Sequence, residues 1–145
     1  MPTYLSKVLT DLLKLGLSFG LAFPIGLDRE LEDRGAGVRT LPLVSLGSCA
    51  LLLVASSAWN GATDSLAKVL QGLITGIGFV GGGAILKSHT SVHGTATAAS
   101  IWNMSVIGAA VAFGIYDIAI ILAVINYLAL RLLRPLKREV DKLPN

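Results

Sequence analysis

The stretch TLPLVSLGSCALLLVASSAWNGAT, residues 40–63, decides the fold class of this protein. It runs for 24 residues without Asp, Glu, Lys or Arg, and about 20 apolar residues in a helix cross the hydrocarbon core of a bilayer. Two further uncharged runs, residues 69–86 and 95–116, contain 18 and 22 residues. These three segments are therefore predicted to be membrane-spanning helices.

A first helix is predicted over residues 5–27, where the apolar pattern is interrupted by charge. Lys7, Asp11 and Lys14 must then lie in its outer turns, because charged groups are costly near the bilayer centre. At 100° per residue these three side chains share one helix face with Ser18. Lys7 and Asp11 can also pair, four residues apart.

Composition agrees with a membrane domain. Of 145 residues, 53% are hydrophobic and 14% are charged, whereas a soluble domain has about 25% charged residues.

A fifth, shorter helix is predicted over about residues 118–133, after a helical hairpin at Asp117. We expect an all-α membrane protein, with five transmembrane helices over residues 1–134 and a short basic cytoplasmic tail over residues 135–145. No metalloprotease, hydrolase or nucleotide motif is present, so we do not expect an enzyme.

The distribution of positive charge predicts how the helices are oriented. Nine of the 12 Lys and Arg residues fall in segments on one side of the membrane, and three fall on the other. Because Lys and Arg concentrate in cytoplasmic loops, we expect the N-terminus outside and the C-terminus in the cytoplasm. A basic tail of this kind suits an anionic lipid surface, and we expect no nucleic-acid partner.

Glycine spacing suggests an internal repeat. Five residues of the first span align without gaps with identical residues of the third: Gly16, Leu17, Gly20, Phe23 and Gly26 with Gly72, Leu73, Gly76, Phe79 and Gly82. We expect helices 1–2 and 3–4 to form a parallel repeat, with chance similarity between glycine-rich segments as the alternative. Small residues four apart favour close helix contact, within one bundle or across a homodimer, and we expect a dimer.

Three consecutive glycines, residues 81–83, stand near the end of the third span. Glycine costs about 1 kcal/mol relative to Ala within a helix, so the run predicts a break in that helix. Irregular backbone at membrane depth is tolerated beside protein or a water-filled cavity, and the run is thus a candidate lining for a small site. An ordinary kink is the alternative, as it is at Pro24.

The most highly charged segment follows the first span and contains Asp28, Arg29, Glu30, Glu32, Asp33, Arg34 and Arg39. Carboxylates at a membrane surface suit hydrated Mg²⁺, which makes Asp28 a weak candidate ligand. A self-neutralising network is the alternative, with Asp28 paired to Arg39. His89 and His93 would present two imidazoles together only if that segment were helical. We expect no cofactor beyond weak Mg²⁺ binding.

Four ordered motifs resemble the MgtC/SapB family of bacterial inner-membrane proteins. They are IGLDRE at residues 25–30, AGVRT at 36–40, TGIGFVGGGAILK at 75–87 and TAASIW at 97–102. The resemblance implies five transmembrane helices, a multi-pass protein of the inner membrane, and a link to magnesium limitation and, in pathogens, to virulence. It also implies a non-enzymatic factor that acts through membrane-protein partners, among them the rotary ATP synthase.

Two departures limit what the resemblance implies. Longer family members continue into a cytoplasmic domain, whereas this chain stops at Asn145, and Asn103 follows the Trp where the family often has Cys. A small-solute or divalent-cation transporter or channel, with its site at the third helix, is the rival function. The candidate functional residues are Asp28, Arg29, Glu30, Arg39, Thr40, Gly76, Gly78, Gly81, Gly82, Gly83, Asn103 and Asp117.

Overall fold

Five α-helices make up most of the described protein. The computed structural model describes residues 2–31, 36–59, 63–87, 92–133 and 135. The helices are α1 (Pro2–Glu30), α2 (Thr40–Ala58), α3 (Thr63–Gly83), α4 (Thr95–Ala112) and α5 (Tyr116–Leu132), and two short strands, β1 (Leu86–Lys87) and β2 (Val92–His93), join α3 to α4. The predicted all-α class is confirmed, while the tail beyond residue 135 lies outside the described residues.

The helices have the length and composition of membrane spans. Helices α1 to α4 are each long and apolar enough to cross a membrane. Helix α5 has 17 residues, which corresponds to about 26 Å at the α-helical rise. Arg131 stands in its last turn, where a long side chain can reach the interface. The membrane orientation and the internal repeat stay predictions.

Helix α4 is the centre of the bundle. It contacts all four other helices and packs most extensively against α2. Ten of its 18 residues are buried, against two of the 21 residues of α3. Many of the buried α4 residues are Ala, Ser or Gly, and small side chains allow helices to approach closely in lipid.

The closest helix crossing is made by Gly108 of α4. A Cβ atom added to this residue would lie 2.1 Å from the carbonyl oxygen of Ser45 and 3.0 Å from the amide nitrogen of Cys49, both on α2. Ser48 donates a 3.0 Å hydrogen bond to Ser105 in the same buried interface. Glycine is required here because any side chain would push the two backbones apart.

The lysines on the charged face of α1 contact other helices. The Lys7 ammonium donates to the hydroxyl of Ser57 at 3.0 Å, and the Lys14 ammonium donates to the carbonyl oxygen of Ala112 at 2.8 Å. Ser18, on the same face, is fully buried. These contacts place the start of α1 beside the ends of α2 and α4.

Several predicted boundaries were wrong. Helix α2 ends at Ala58, and α3 begins at Thr63 instead of at residue 69, so charged residues of α3 lie in its first turns. The strand pair was not predicted. It places Leu86 opposite His93, so His93 is extended and not helical, and His89 lies outside the described residues.

The glycine run at residues 81–83 does not break α3. The helix continues to Gly83, and the amides of Ala84 and Ile85 donate to the carbonyls of Gly81 and Gly82, each at 3.1 Å. Such bonds between residues three apart tighten a final helical turn. The predicted break was therefore wrong, and the run is the C-terminal turn of α3. Helix α1 likewise continues through Pro24.

Most glycine pairs proposed to pack within the bundle do not do so. A Cβ atom added at Gly16, Gly20, Gly72 or Gly76 would have no heavy atom within 4 Å. These residues lie on the outer faces of α1 and α3, opposite the buried residues of each helix. Contact within one bundle was thus the wrong interpretation for them.

Candidate functional site at one end of the bundle

The four sequence motifs meet at one end of the bundle, although they are separated along the chain. We call this region the motif junction and define it by the residues that meet there: Gly26, Arg29, Glu30, Gly37, Val38, Pro42, Gly81, Ala84, Gly94, Thr97 and Ala98. Its parts come from the end of α1, the start of α2, the end of α3 and the start of α4. The following contacts hold these parts together.

Arg29 joins the first motif to the fourth. Its side chain is 6% exposed, and its guanidinium donates a hydrogen bond to the hydroxyl of Thr97. Arginine stays protonated in proteins, so the junction holds a buried positive charge. A buried charge is costly to leave unsatisfied, and we therefore expect the junction to depend on the groups that contact Arg29.

Glu30 joins the first motif to the second. Its carboxylate accepts a 3.0 Å hydrogen bond from the backbone amide of Val38. One turn earlier, a Cβ atom on Gly26 would lie 3.0 Å from the Val38 Cα and 3.1 Å from the Gly37 carbonyl oxygen. The end of α1 therefore packs directly on the backbone that leads into α2.

Two glycines join the third motif to the fourth. Gly94 has a φ of +87°, and a Cβ atom there would lie 2.0 Å from the carbonyl oxygen of Ala84. A Cβ atom on Gly81 would lie 3.4 Å from the carbonyl oxygen of Ala98. Only glycine fits at residue 94, because the left-handed conformation and the close backbone both exclude a side chain.

The charged candidates of this segment differ in their burial. Asp28 is half-buried, whereas Arg39 and Thr40 are exposed where α2 begins. Asp28 has an interaction partner in the structure, and its pairing with Arg39 stays a prediction. The buried cation of the motifs is Arg29, because it lies one residue further around α1 and faces α4.

The remaining candidates lie elsewhere. Asn103, near the middle of α4, donates a 2.9 Å hydrogen bond to Asn126 of α5. Asp117 is exposed in the first turn of α5, at the opposite end of the bundle. Four glycines lie on exposed surface of α3: Gly76, Gly78, Gly82 and Gly83. Of the candidate residues, the junction contains Arg29, Glu30 and Gly81.

Metal-binding groups are sparse in the described residues. Within residues 2–31, 36–59, 63–87, 92–133 and 135, no cluster of three or more His, Cys, Asp or Glu side chains is positioned to hold an ion. Glu32, Asp33 and Arg34 lie outside these ranges.

Sequence reasoning missed the polar contact between α1 and α2. Ser45 donates to the carbonyl oxygen of Ser18 at 3.0 Å, which links the two helices. Hydroxyl groups on otherwise apolar helices were the available signal, since they hydrogen-bond across helices in membranes.

Comparison with known proteins agrees with this arrangement. A family model described as the MgtC family matches residues 15–139, which include all four motifs. The chain belongs to the MgtC family. No solved structure matches it significantly.

Three relatives show how far the family similarity extends. Over 134 residues the chain is 33% identical to the Synechocystis sp. protein slr0014, covering 92% of this chain and 56% of the relative. It is 32% identical to protein MgtC of Salmonella typhimurium, covering 83% of this chain and 51% of the relative. It is 31% identical to the Escherichia coli protein named "Putative magnesium transporter YhiD", covering 77% and 55%. The chain spans about half the length of these relatives.

Proposed function

We propose that this MgtC-family protein is a non-enzymatic membrane factor in the adaptation of bacteria to low magnesium and in ion homeostasis. It acts through other membrane proteins, with the ATP synthase as one candidate partner, in the inner membrane. The observation that supports the proposal is the motif junction, where residues of the four motifs hold four segments together around Arg29.

The contacts of the junction favour a factor over a cation carrier. The guanidinium of Arg29 donates to Thr97, and the carboxylate of Glu30 accepts from the backbone amide of Val38, so both charged groups hold segments of the protein together. A preformed end of the bundle suits contact with a protein partner, because less ordering is needed on binding.

The rival function is transport at the glycine-rich face of α3. The name of the E. coli relative favours it, and the exposed glycines of α3 leave room for another molecule. A transported ion would then pass along the outer side of α3 and not through the motif junction. The two functions can be separated because their sites do not overlap.

Growth and flux measurements distinguish them. Thr97→Val removes the acceptor of Arg29 while keeping the side-chain shape, and Thr95→Val, two residues away on exposed surface, is its matched control. We expect Thr97→Val to be inserted yet unable to support growth at low magnesium, and to lose the partner protein on co-purification from native membranes. Thr95→Val should behave as the unsubstituted protein.

Magnesium flux is measured with purified protein in sealed liposomes that enclose a magnesium indicator. We expect no Mg²⁺ flux above that of empty liposomes. Gly82→Leu serves as the probe for transport, since Gly82 has no neighbouring atom within 4 Å and should accept a larger side chain without unfolding. Magnesium flux that Gly82→Leu abolishes would overturn the proposal in favour of transport.

A further inference from the structure

A surface groove of about 180 Å³ lies between α1 and the start of α5, at the end of the bundle opposite the motif junction. Five residues line it: Thr10, Leu13, Lys14, Leu17 and Tyr116. The leucines make an apolar wall along α1, while the other three residues carry polar groups. An apolar groove with polar side chains at its edge suits an amphiphilic molecule.

Lys14 is the one cation among the lining residues, and the protein holds it in place. Its ammonium donates a 2.8 Å hydrogen bond to the carbonyl oxygen of Ala112, at the C-terminal end of α4. An ammonium group has three N–H donors, so two stay available to a ligand. Lys14 is half-buried and lines the groove, so its ammonium lies within reach of a ligand there.

The mouth of the groove lies where the membrane interface is expected. Helix α4 ends at Ala112 and α5 begins at Tyr116, so Lys14 is level with the turn between them. Tyr116 is 41% exposed, and tyrosines at helix ends are typical of the headgroup region. From this level, Leu13 and Leu17 extend the apolar wall along the helix.

We propose that this groove binds one phospholipid molecule. Its phosphate diester contacts the Lys14 ammonium, and an acyl chain lies along Leu13 and Leu17. Charge complementarity favours this occupant. The ammonium of Lys14 attracts an anionic group, and the leucine side chains pack favourably against a hydrocarbon chain. Two acids lie near the groove without lining it: Asp11 is half-buried on the inner face of α1, and Asp117 is exposed on α5.

The test compares two lipids with identical acyl chains, phosphatidylglycerol and diacylglycerol, which lacks the phosphate. The purified, delipidated chain is titrated with each lipid in mild detergent, and bound lipid is counted by native mass spectrometry. We expect one phosphatidylglycerol per chain and binding of diacylglycerol that is about tenfold weaker, from the loss of a charged hydrogen bond. Equal affinity for the two lipids would overturn the proposal.

Two pairs of variants locate the site. Lys14→Met should bring phosphatidylglycerol down to the affinity of diacylglycerol, and Lys68→Met, an exposed lysine of α3 near the same end, should not. If Lys14→Met does not fold, Leu17→Trp decides, because it fills the groove and leaves the Lys14 contact intact. Leu12→Trp is its control, on exposed surface outside the groove. Unchanged binding in Leu17→Trp, or equal loss in Leu12→Trp, would refute the site.

Discussion

Replacing Gly108 by Ala is the sharpest test of how the bundle is held together. Ordinary contact with a Cβ atom begins at 3.4 Å, but the new Cβ would lie 2.1 Å from the Ser45 carbonyl oxygen. Helices α2 and α4 must therefore separate by about 1.3 Å, the difference between these distances. The clashing atom is backbone, so no side-chain rotation relieves the contact.

The separation also removes a hydrogen bond. The Ser48 and Ser105 hydroxyl oxygens are 3.0 Å apart, and the same shift would take them beyond hydrogen-bonding distance. Forced overpacking costs about 1 to 3 kcal/mol, and a hydrogen bond between membrane helices contributes about 0.6 kcal/mol on average. We expect Gly108→Ala to lower the free energy of unfolding by about 2 to 4 kcal/mol.

Equilibrium unfolding by SDS in mixed micelles, followed by the fluorescence of Trp102 and Trp59, measures this free energy. Gly47→Ala is the matched control, because Gly47 lies on α2 with no atom within 4 Å of an added Cβ. The control should be neutral or more stable by up to about 1 kcal/mol, since Ala favours helix over Gly. If Gly108→Ala unfolds within about 0.5 kcal/mol of the unsubstituted protein, the α2–α4 crossing described here is wrong.

Three further predictions concern other contacts. Asn103→Leu should destabilise the protein by about 1 to 2 kcal/mol by leaving Asn126 without its partner, and the double replacement by Leu should recover most of this loss in the same unfolding assay. Gly94→Ala should lower the melting temperature strongly, whereas Gly83→Ala, in open space, should not; equal melting temperatures would contradict the junction geometry. Gly72→Leu should weaken a dimer formed through the outer face of α3, and masses in detergent that show only monomers of the unsubstituted chain would exclude that dimer.

The sequence alone was sufficient for the class of the protein and for the number of its helices. Long uncharged runs can be stable only as helices in lipid, because every backbone polar group must be satisfied within the segment. The shared face of Lys7, Lys14 and Ser18 on α1 was also predictable from helical periodicity, whereas the contacts of the two lysines with α2 and α4 were not. The cost of placing a charge in lipid and the helical spacing of side chains depend on neighbouring residues in the chain, so both can be read from the sequence.

Helix ends and glycine roles required the tertiary structure. Gly108 and Gly72 look alike in sequence, as small residues within apolar helices, yet only Gly108 meets another backbone. The glycine run at residues 81–83 forms the last turn of its helix, and only Gly81 of the three meets α4. The packing of all five helices determines which face of a helix contacts a neighbour. A single residue does not determine this.

At the motif junction, too, the sequence predicted one part of the arrangement and the tertiary structure decided the other. The motifs in the sequence identified the segments that matter, and they included Arg29, Glu30 and Gly81. The sequence favoured Asp28 and Arg39 as the pair, because opposite charges near one membrane face attract. Only the tertiary structure decided that Arg29 is buried against Thr97 while Arg39 is exposed. The physical reason is the position of α4: its first turn contacts the end of α1, and residues 68 positions apart in the chain come within hydrogen-bonding distance.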